Sequence, residues 1–406
     1  MLNRISSMLT ATAMAAALTV TGAAPAHADD AWARQLIEDF AAARAVTKGE
    51  GVTVAVLGSG VDRGTPSLRG RVEQEKDFVG TPRPRRLEGS LTAALLAGEG
   101  AIRLEDGGPA ADGLATGVRI LPVRVVPEEG DPGAEDWWED VDSEGRSVAQ
   151  GIRYAAERGA QVIVVGALMD MVTSTAAMSD AIAYARSKNA VVIAANMLLD
   201  VAREDNFPYP ASLPGVIAVN GLQEDGRRHP LFSRPSVMVL VSAPADEHPV
   251  EGPDGRVYSL RAGPVAMAWV AAAAAFVKAK YPDLAPVQVA RALAASARHP
   301  NGEGAYDTSL GFGVVNPDGA LKEAAEIAAK GKPVITARSG IFPEGEHFGG
   351  DKPDLIGAAR HPVAAMAGFP ALMLAGVAAL AGAFWLWRRP RAAEPGAGES
   401  ADAAGA

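Results

Sequence analysis

Nucleophilic, acid–base and metal chemistry each require particular side chains, and this chain is sparing with them. It has no cysteine, which removes thiol nucleophiles, disulfides and Cys-based zinc sites. Its six histidines are His27, His229, His248, His299, His347 and His361. None lies between residues 28 and 228, so apart from His27 the first half of the chain has no histidine base. The stretch Asp140-Val141-Asp142-Ser143-Glu144-Gly145 opens like a calcium loop, with carboxylates at alternate positions. The bidentate Glu needed at the twelfth position is Gly151 here, so no metal site is assigned and no cofactor is expected. Residues 128–144 hold nine acidic side chains and no basic one, with Trp137 and Trp138 among them. That run reads as a solvated acidic loop.

Composition narrows the function classes. A formal charge of −10 over 406 residues lacks the basic stripe that a nucleic-acid binder needs. With 48% hydrophobic and 21% charged residues, the chain is long and apolar enough for a real core.

Both ends carry membrane-related patterns. Residues 1–28 read as a signal peptide: Arg4, an apolar run through Val20, then the small-x-small site Ala26-His27-Ala28. Residues 363–387 form an uncharged apolar stretch of 25 residues, with Pro370 near its start and Trp385 and Trp387 at its end. That length crosses a bilayer core of ~30 Å. Arg388, Arg389 and Arg391 follow, and place the C-terminus in the cytoplasm. The expectation is a single-pass cell-membrane protein with its large domain outside the cytoplasm. A Pro/Gly-rich stalk over 330–362 leads to the span, and a disordered tail occupies 388–406.

Between the ends, apolar runs alternate with helical periodicity. Strands are expected at Val52–Leu57, Val118–Val126, Val162–Val165, Ala190–Ala195, Val216–Val219 and Val237–Val241. Helices are expected at Ser147–Arg158 (capped by Ser147), Ala176–Ser187, Val265–Lys280, Val287–Ala297 and Pro317–Ala329. Val265–Lys280 is apolar almost all round, so it should be buried. Continuous apolar strands between helices imply an α/β fold with a parallel sheet covered on both faces.

Several blocks resemble one family, the subtilases (subtilisin-like serine peptidases). They are GVTVAVLGSGVD at 51–62, GIRYA at 151–155 with GAQVI at 159–163, and VVIAAN at 191–196. YPASLPGVIAV at 209–219, YPDL at 281–284 and GFGVVN at 311–316 complete the series in the same order. The resemblance implies a subtilisin-like three-layer fold over residues 29–329, with one C-terminal transmembrane helix added. A subtilase with a signal peptide, a stalk and one C-terminal span is similar to the mycosins, which accompany type VII secretion systems.

The resemblance also implies where a triad would sit, and each position differs. The Asp position holds Gly58, followed by Ser59 and Gly60. The His position holds Glu88, in Glu88-Gly89-Ser90. The Ser position holds Pro264, in Ala262-Gly263-Pro264. Pro264 offers neither a hydroxyl nor an N–H, and so removes the attacking atom and one oxyanion donor. Asn196 matches the oxyanion asparagine. The strand end that normally reads Asn-x-Ser-x-Gly is VVGAL at 164–168, which is unsuited to pairing with a substrate strand. His229 and His248 are expected on surface loops. Asp62, Ser59 and Ser259 are too displaced to restore the geometry.

The expectation is a membrane-anchored pseudoprotease, acting as a scaffold or binding component associated with type VII secretion. Two alternatives stay open. One is an active subtilase with a rearranged site. The other is a regulatory module that binds peptides or an active paralogue.

Overall fold

The computed structural model describes residues 31–103, 110–140, 142–166, 175–197 and 207–330, together with 376, 380 and 381. The chain divides into two units, residues 1–333 and 334–406, and the fold below belongs to the first. Its helices are α1 (Ala31–Val46), α2 (Leu87–Ala97), α3 (Ala134–Glu139), α4 (Ser143–Glu157), α5 (Thr175–Ser187), α6 (Gly263–Lys280), α7 (Pro286–Ser296) and α8 (Pro317–Ala329). Its strands are β1 (Thr53–Gly58), β2 (Lys76–Asp77), β3 (Arg119–Arg124), β4 (Val162–Val165), β5 (Val191–Ala195), β6 (Val216–Leu222), β7 (Val239–Pro244), β8 (His248–Glu251) and β9 (Val257–Leu260). The signal, stalk, span and tail expected from sequence lie outside the described residues, apart from Lys330 at the start of the stalk and Gly376, Leu380 and Ala381 in the span. Among the described residues no helix is long and apolar enough to cross a membrane.

Seven strands form one sheet in the order β2-β3-β1-β4-β5-β6-β7, with every neighbouring pair parallel. β8 and β9 make a separate antiparallel hairpin. Side chains on a strand alternate between faces, and here both faces are apolar. Val54 and Val56 of β1, with Val162 and Val164 of β4, point into a core shared with α1, α2, α6, α7 and α8. Ala55, Leu57, Ile163 and Val165 point into a second core under α4 and α5. The three-layer α/β architecture implied by the resemblance is therefore present.

α6 threads the larger core and is buried from Gly263 to Lys278. The alanines at 271–275 let neighbours close in on every side of it. Lys278 is the one charge on this buried stretch. Its Nζ donates to Asn189 Oδ1 at 2.8 Å and to the Leu284 carbonyl at 2.7 Å. Burial lowers its pKa to about 8.

Several elements differ from the sequence reading. α4 begins at Ser143, one turn before the expected cap. Ser147 is buried instead, and its hydroxyl donates to the carbonyls of Val125 and Glu144. β7 begins at Val239 rather than Val237, which is 76% exposed and so gains nothing from the core. α1 and the β8–β9 hairpin have no counterpart in the sequence reading.

α1 is stitched to distant parts of the fold. Phe40 meets Trp269 edge-on at 4.6 Å and Phe276 at 6.1 Å, both on α6. Asp39 accepts from Arg298 at 2.7 Å with each oxygen. Trp32 Nε1 donates to the Glu224 carbonyl at 2.9 Å. Removing a buried aromatic from such a contact costs about 3–5 kcal/mol. Phe40→Ala is therefore expected to lower unfolding free energy by that amount in a urea titration followed by circular dichroism.

Candidate functional site

A parallel sheet gathers ligands and chemistry outside the carboxyl ends of its strands, where the strand order reverses. In this sheet that point is the end of β1, between β3 and β4. Gly58 is the last residue of β1, and its carbonyl accepts from the N–H of Val125 at 2.8 Å. Glu88 stands in the first turn of α2. The two are joined by Glu128, from the acidic stretch after β3. One Glu128 oxygen accepts from Ser59 Oγ at 2.7 Å and from the Glu88 N–H at 2.6 Å. Ser59 Oγ also accepts from the Gly89 N–H at 3.1 Å. Glu128 thus serves α2 as a cap donated from another loop, where the helix dipole favours negative charge.

The approach of α2 to this loop depends on glycine. A Cβ on Gly89 would lie 2.1 Å from the Gly60 carbonyl oxygen. Asp62 is held nearby, its N–H donating to Ser90 Oγ at 2.8 Å.

The acidic stretch is not uniformly solvated, which corrects the sequence reading. Asp131 and Arg124 have fully buried side chains and pair at 3.0 Å. Arg124 also pairs with Asp77 at 3.0 Å and donates to Thr81. Asp131 accepts from the N–H of Arg85 at 2.8 Å and of Glu128 at 3.1 Å. This pair aims Glu128 at α2. The exposed part is α3, where Trp137 and Trp138 stack edge-on at 4.7 Å. The two residues that matter most here, Glu128 and Asp131, were missed as site residues. Arg124, a charge ending the apolar stretch 120–123, was the signal that a carboxylate had to come inward.

Burial and the negative charge of Glu128 push the Glu88 carboxyl up to about 7. The surrounding protein is dense, yet over a third of the residue remains open to solvent, so water screens part of this effect. The upward direction follows from two carboxyl groups sharing one helix end.

Pro264 and Asn196 form a second cluster at the same end of the sheet. Pro264 occupies the first turn of α6, and Gly263 sits so close to β5 that a Cβ there would be 2.9 Å from Ala195 Cβ. This helix start is buried and has no side-chain cap. Proline suits it, since its missing N–H is one donor fewer to satisfy. Ala262, just before, is held at φ 67° and ψ −144°, a region that favours glycine. Asn196 follows β5 and is buried. Its Nδ2 donates to Asn220 Oδ1 and to the Arg234 carbonyl, both at 2.8 Å, while its Oδ1 has no partner among the described residues. Both of its amide hydrogens are therefore committed inside the protein.

Of the two histidines expected on loops, His229 lies on the loop between β6 and β7 and His248 does not. His248 is in β8, half-buried, with its ring edge-on to Trp269 at 6.1 Å and Nδ1 at 2.9 Å from the Asp246 carbonyl. Burial lowers its pKa, disfavouring the charged imidazolium. His229 stacks on Phe232 at 4.1 Å. Ser259 lies in β9, just ahead of α6 in the chain. No group of three or more metal-ligating side chains occurs among the described residues. The strand-end segment at 164–168 is described only to Gly166.

The sequence matches the subtilase family over residues 49–313. It is 30% identical over 339 residues to Mycosin-1 of Mycolicibacterium smegmatis, covering 72% of this chain and 73% of that protein. A solved structure of MycP1 from the ESX-1 type VII secretion system superposes with a TM-score of 0.57 at 28% identity, covering 70% of this chain and 83% of that one. A second, of the serine protease MycP1 described as an essential component of the type VII (ESX-1) secretion system, gives 0.54 at 30% identity, covering 70% and 86%.

Two substitutions test this geometry. Between pH 4.5 and about 7 the folded protein keeps a proton on Glu88 that the unfolded chain has released, so stability falls as pH rises through that window. Glu88→Gln should match the parent near pH 4 and exceed it near pH 8, by about 1 kcal/mol after allowing for solvent screening. Melting curves across that range check it. Ala262→Gly should raise stability by about 1 kcal/mol by relieving backbone strain, read from the denaturation midpoint.

Proposed function

The chain belongs to the subtilase family, and on that premise we propose that it is a pseudoprotease: a membrane-anchored, extracytoplasmic scaffold or binding component associated with type VII secretion. The observation that carries the loss of catalysis is Pro264 at the start of α6. A serine peptidase needs a hydroxyl nucleophile there and an N–H to bind the oxyanion, and proline supplies neither. Asn196 adds to this, because both of its amide hydrogens are already engaged. On this reading Gly58 leaves nothing to orient a base, and Glu88 bears a carboxyl group where the imidazole would be. The fold persists because the helix and sheet are held by packing, which catalysis does not require.

The secretion assignment rests on the relatives. MycP1 is described as a component of a type VII system, and this chain is similar to it over most of both lengths. Membrane anchoring rests on the sequence: the signal pattern of 1–28, the apolar stretch of 363–387 and the arginines that follow. A stalk over 330–362 would hold the domain on the outer side, with the tail inside.

The direct test treats the full chain, in membranes, with a fluorophosphonate probe and a casein substrate. No labelling and no cleavage above background are expected. Pro264→Ser alone should restore neither, since no histidine base accompanies it. Labelling that disappears on replacing one serine, such as Ser59 or Ser259, would establish the active-enzyme alternative instead. Affinity capture of the tagged chain is expected to recover secretion-complex subunits. Recovery of a sibling subtilase in their place would favour the regulatory role.

A further inference from the structure

A cavity of about 710 Å³ lies beneath α1. Gly58, Glu88, Asn196 and Pro264 are all absent from its lining. Its walls come from Trp32 and Leu36 of α1, from the turn at 225–228 after β6, and from the segment 298–315 before α8, including Leu310. α1 precedes residue 49, where the match to the family begins, while the turn at 225–228 and Leu310 lie within it. The volume falls within the roughly 300–1,000 Å³ usual for ligand sites, and an apolar floor with a few polar groups is their common make-up.

The charges around it are paired, with one exception. Arg298 is held by both oxygens of Asp39 at 2.7 Å, Arg227 lies 3.9 Å from Asp225, and His299 is 3.1 Å from Asp307. Arg228 has no carboxylate among the described residues. Its Nη1 donates to the backbone carbonyls of His229 and Ser233, and its buried Nε has no partner. Its Nη2 makes no hydrogen bond with the described residues. Partial burial without a counter-charge pulls its pKa down. A guanidinium so placed gains most from a carboxylate that it can grip with two N–H groups.

We infer that this cavity binds an acidic peptide segment, with a carboxylate on Arg228 and an adjacent bulky apolar side chain against Trp32, Leu36 and Leu310. A peptide fits better than a lipid tail, because Asp225, Arg227 and Asp307 give the lining charges of both signs. Such charges can meet backbone amides but leave an alkyl chain unmatched. The inference does not depend on the chain being a pseudoprotease.

The test is fluorescence anisotropy on the full chain in detergent. The probe is a fluorescein-labelled peptide with the core Leu-Phe-Glu-Leu, compared with its Gln counterpart and with labelled laurate. Saturable binding of the Glu peptide is expected, at least about tenfold tighter than the Gln peptide. Arg228→Gln should erase that preference. Leu36→Trp, which fills the cavity from the other wall, should abolish binding of both peptides and carries the test if Arg228→Gln fails to fold. Each variant is checked by circular dichroism and a thermal melt. Equal binding of the Glu and Gln peptides, absence of saturable binding, unchanged preference in a folded Arg228→Gln, or tighter binding of laurate would each overturn the inference.

Discussion

The buried Arg124–Asp131 pair constrains the site more than any other single interaction. A guanidinium at the end of a fully covered strand must find a counter-charge, because an unpaired charge there costs several kcal/mol. Asp131 and Asp77 supply it from the two sides of Arg124. Satisfying the arginine then fixes the chain that brings those carboxylates. Asp131 binds the N–H groups of Arg85 and Glu128, so the turn before α2 and the acidic stretch after β3 are locked together. Glu128 consequently reaches both Ser59 and the Glu88 N–H in the first turn of α2. The helix start, the tip of β1 and the acidic stretch form one connected unit whose anchor is a desolvation requirement.

The second cluster obeys a different constraint, that of close packing. α6 passes through the middle of the larger core and begins underneath β5. Its start has no capping side chain, since the residue before it is Ala262, and Pro264 reduces the number of donors left over. The strained backbone at Ala262 survives because the neighbours on either side are fixed, its N–H donating to the Ala245 carbonyl at 2.7 Å. Proline suits this buried helix end, where its fixed φ and missing N–H match what the first helical turn requires.

What could be read from the sequence followed the strength of the apolar signal. β1, β4 and β5 are short continuous apolar runs, and α6 and α8 have the composition or the proline start that marks a helix, so these emerged with nearly correct bounds. The β8–β9 hairpin has strands of four residues carrying His, Pro, Glu and Ser, and no alternation that composition could reveal. The positions of Gly58, Glu88, Pro264 and Asn196 at element ends followed from order along the chain. Where their polar atoms point did not. The partners of Asn196 lie 24 and 38 residues away, and only the folded sheet decides that its amide hydrogens turn inward. Nine carboxylates in one run likewise average to a solvated loop. Two of them are drawn inward by partners that precede them in the chain.

A chain without cysteine must hold its far-separated parts by other means, and α1 shows which of these matters. Its ion pair with Arg298 spans 259 residues and is bidentate, yet Arg298 is 49% exposed. At that exposure such a pair is worth about 0–1 kcal/mol. Phe40, lodged between Trp269 and Phe276, buries a whole aromatic ring, which is worth several-fold more, about 3–5 kcal/mol on truncation. The aromatic contact therefore supplies the attachment, and the ion pair sets the direction in which the helix lies. Because α1 also roofs the cavity beside Arg228, the same packing that secures the N-terminal helix gives the cavity its apolar wall.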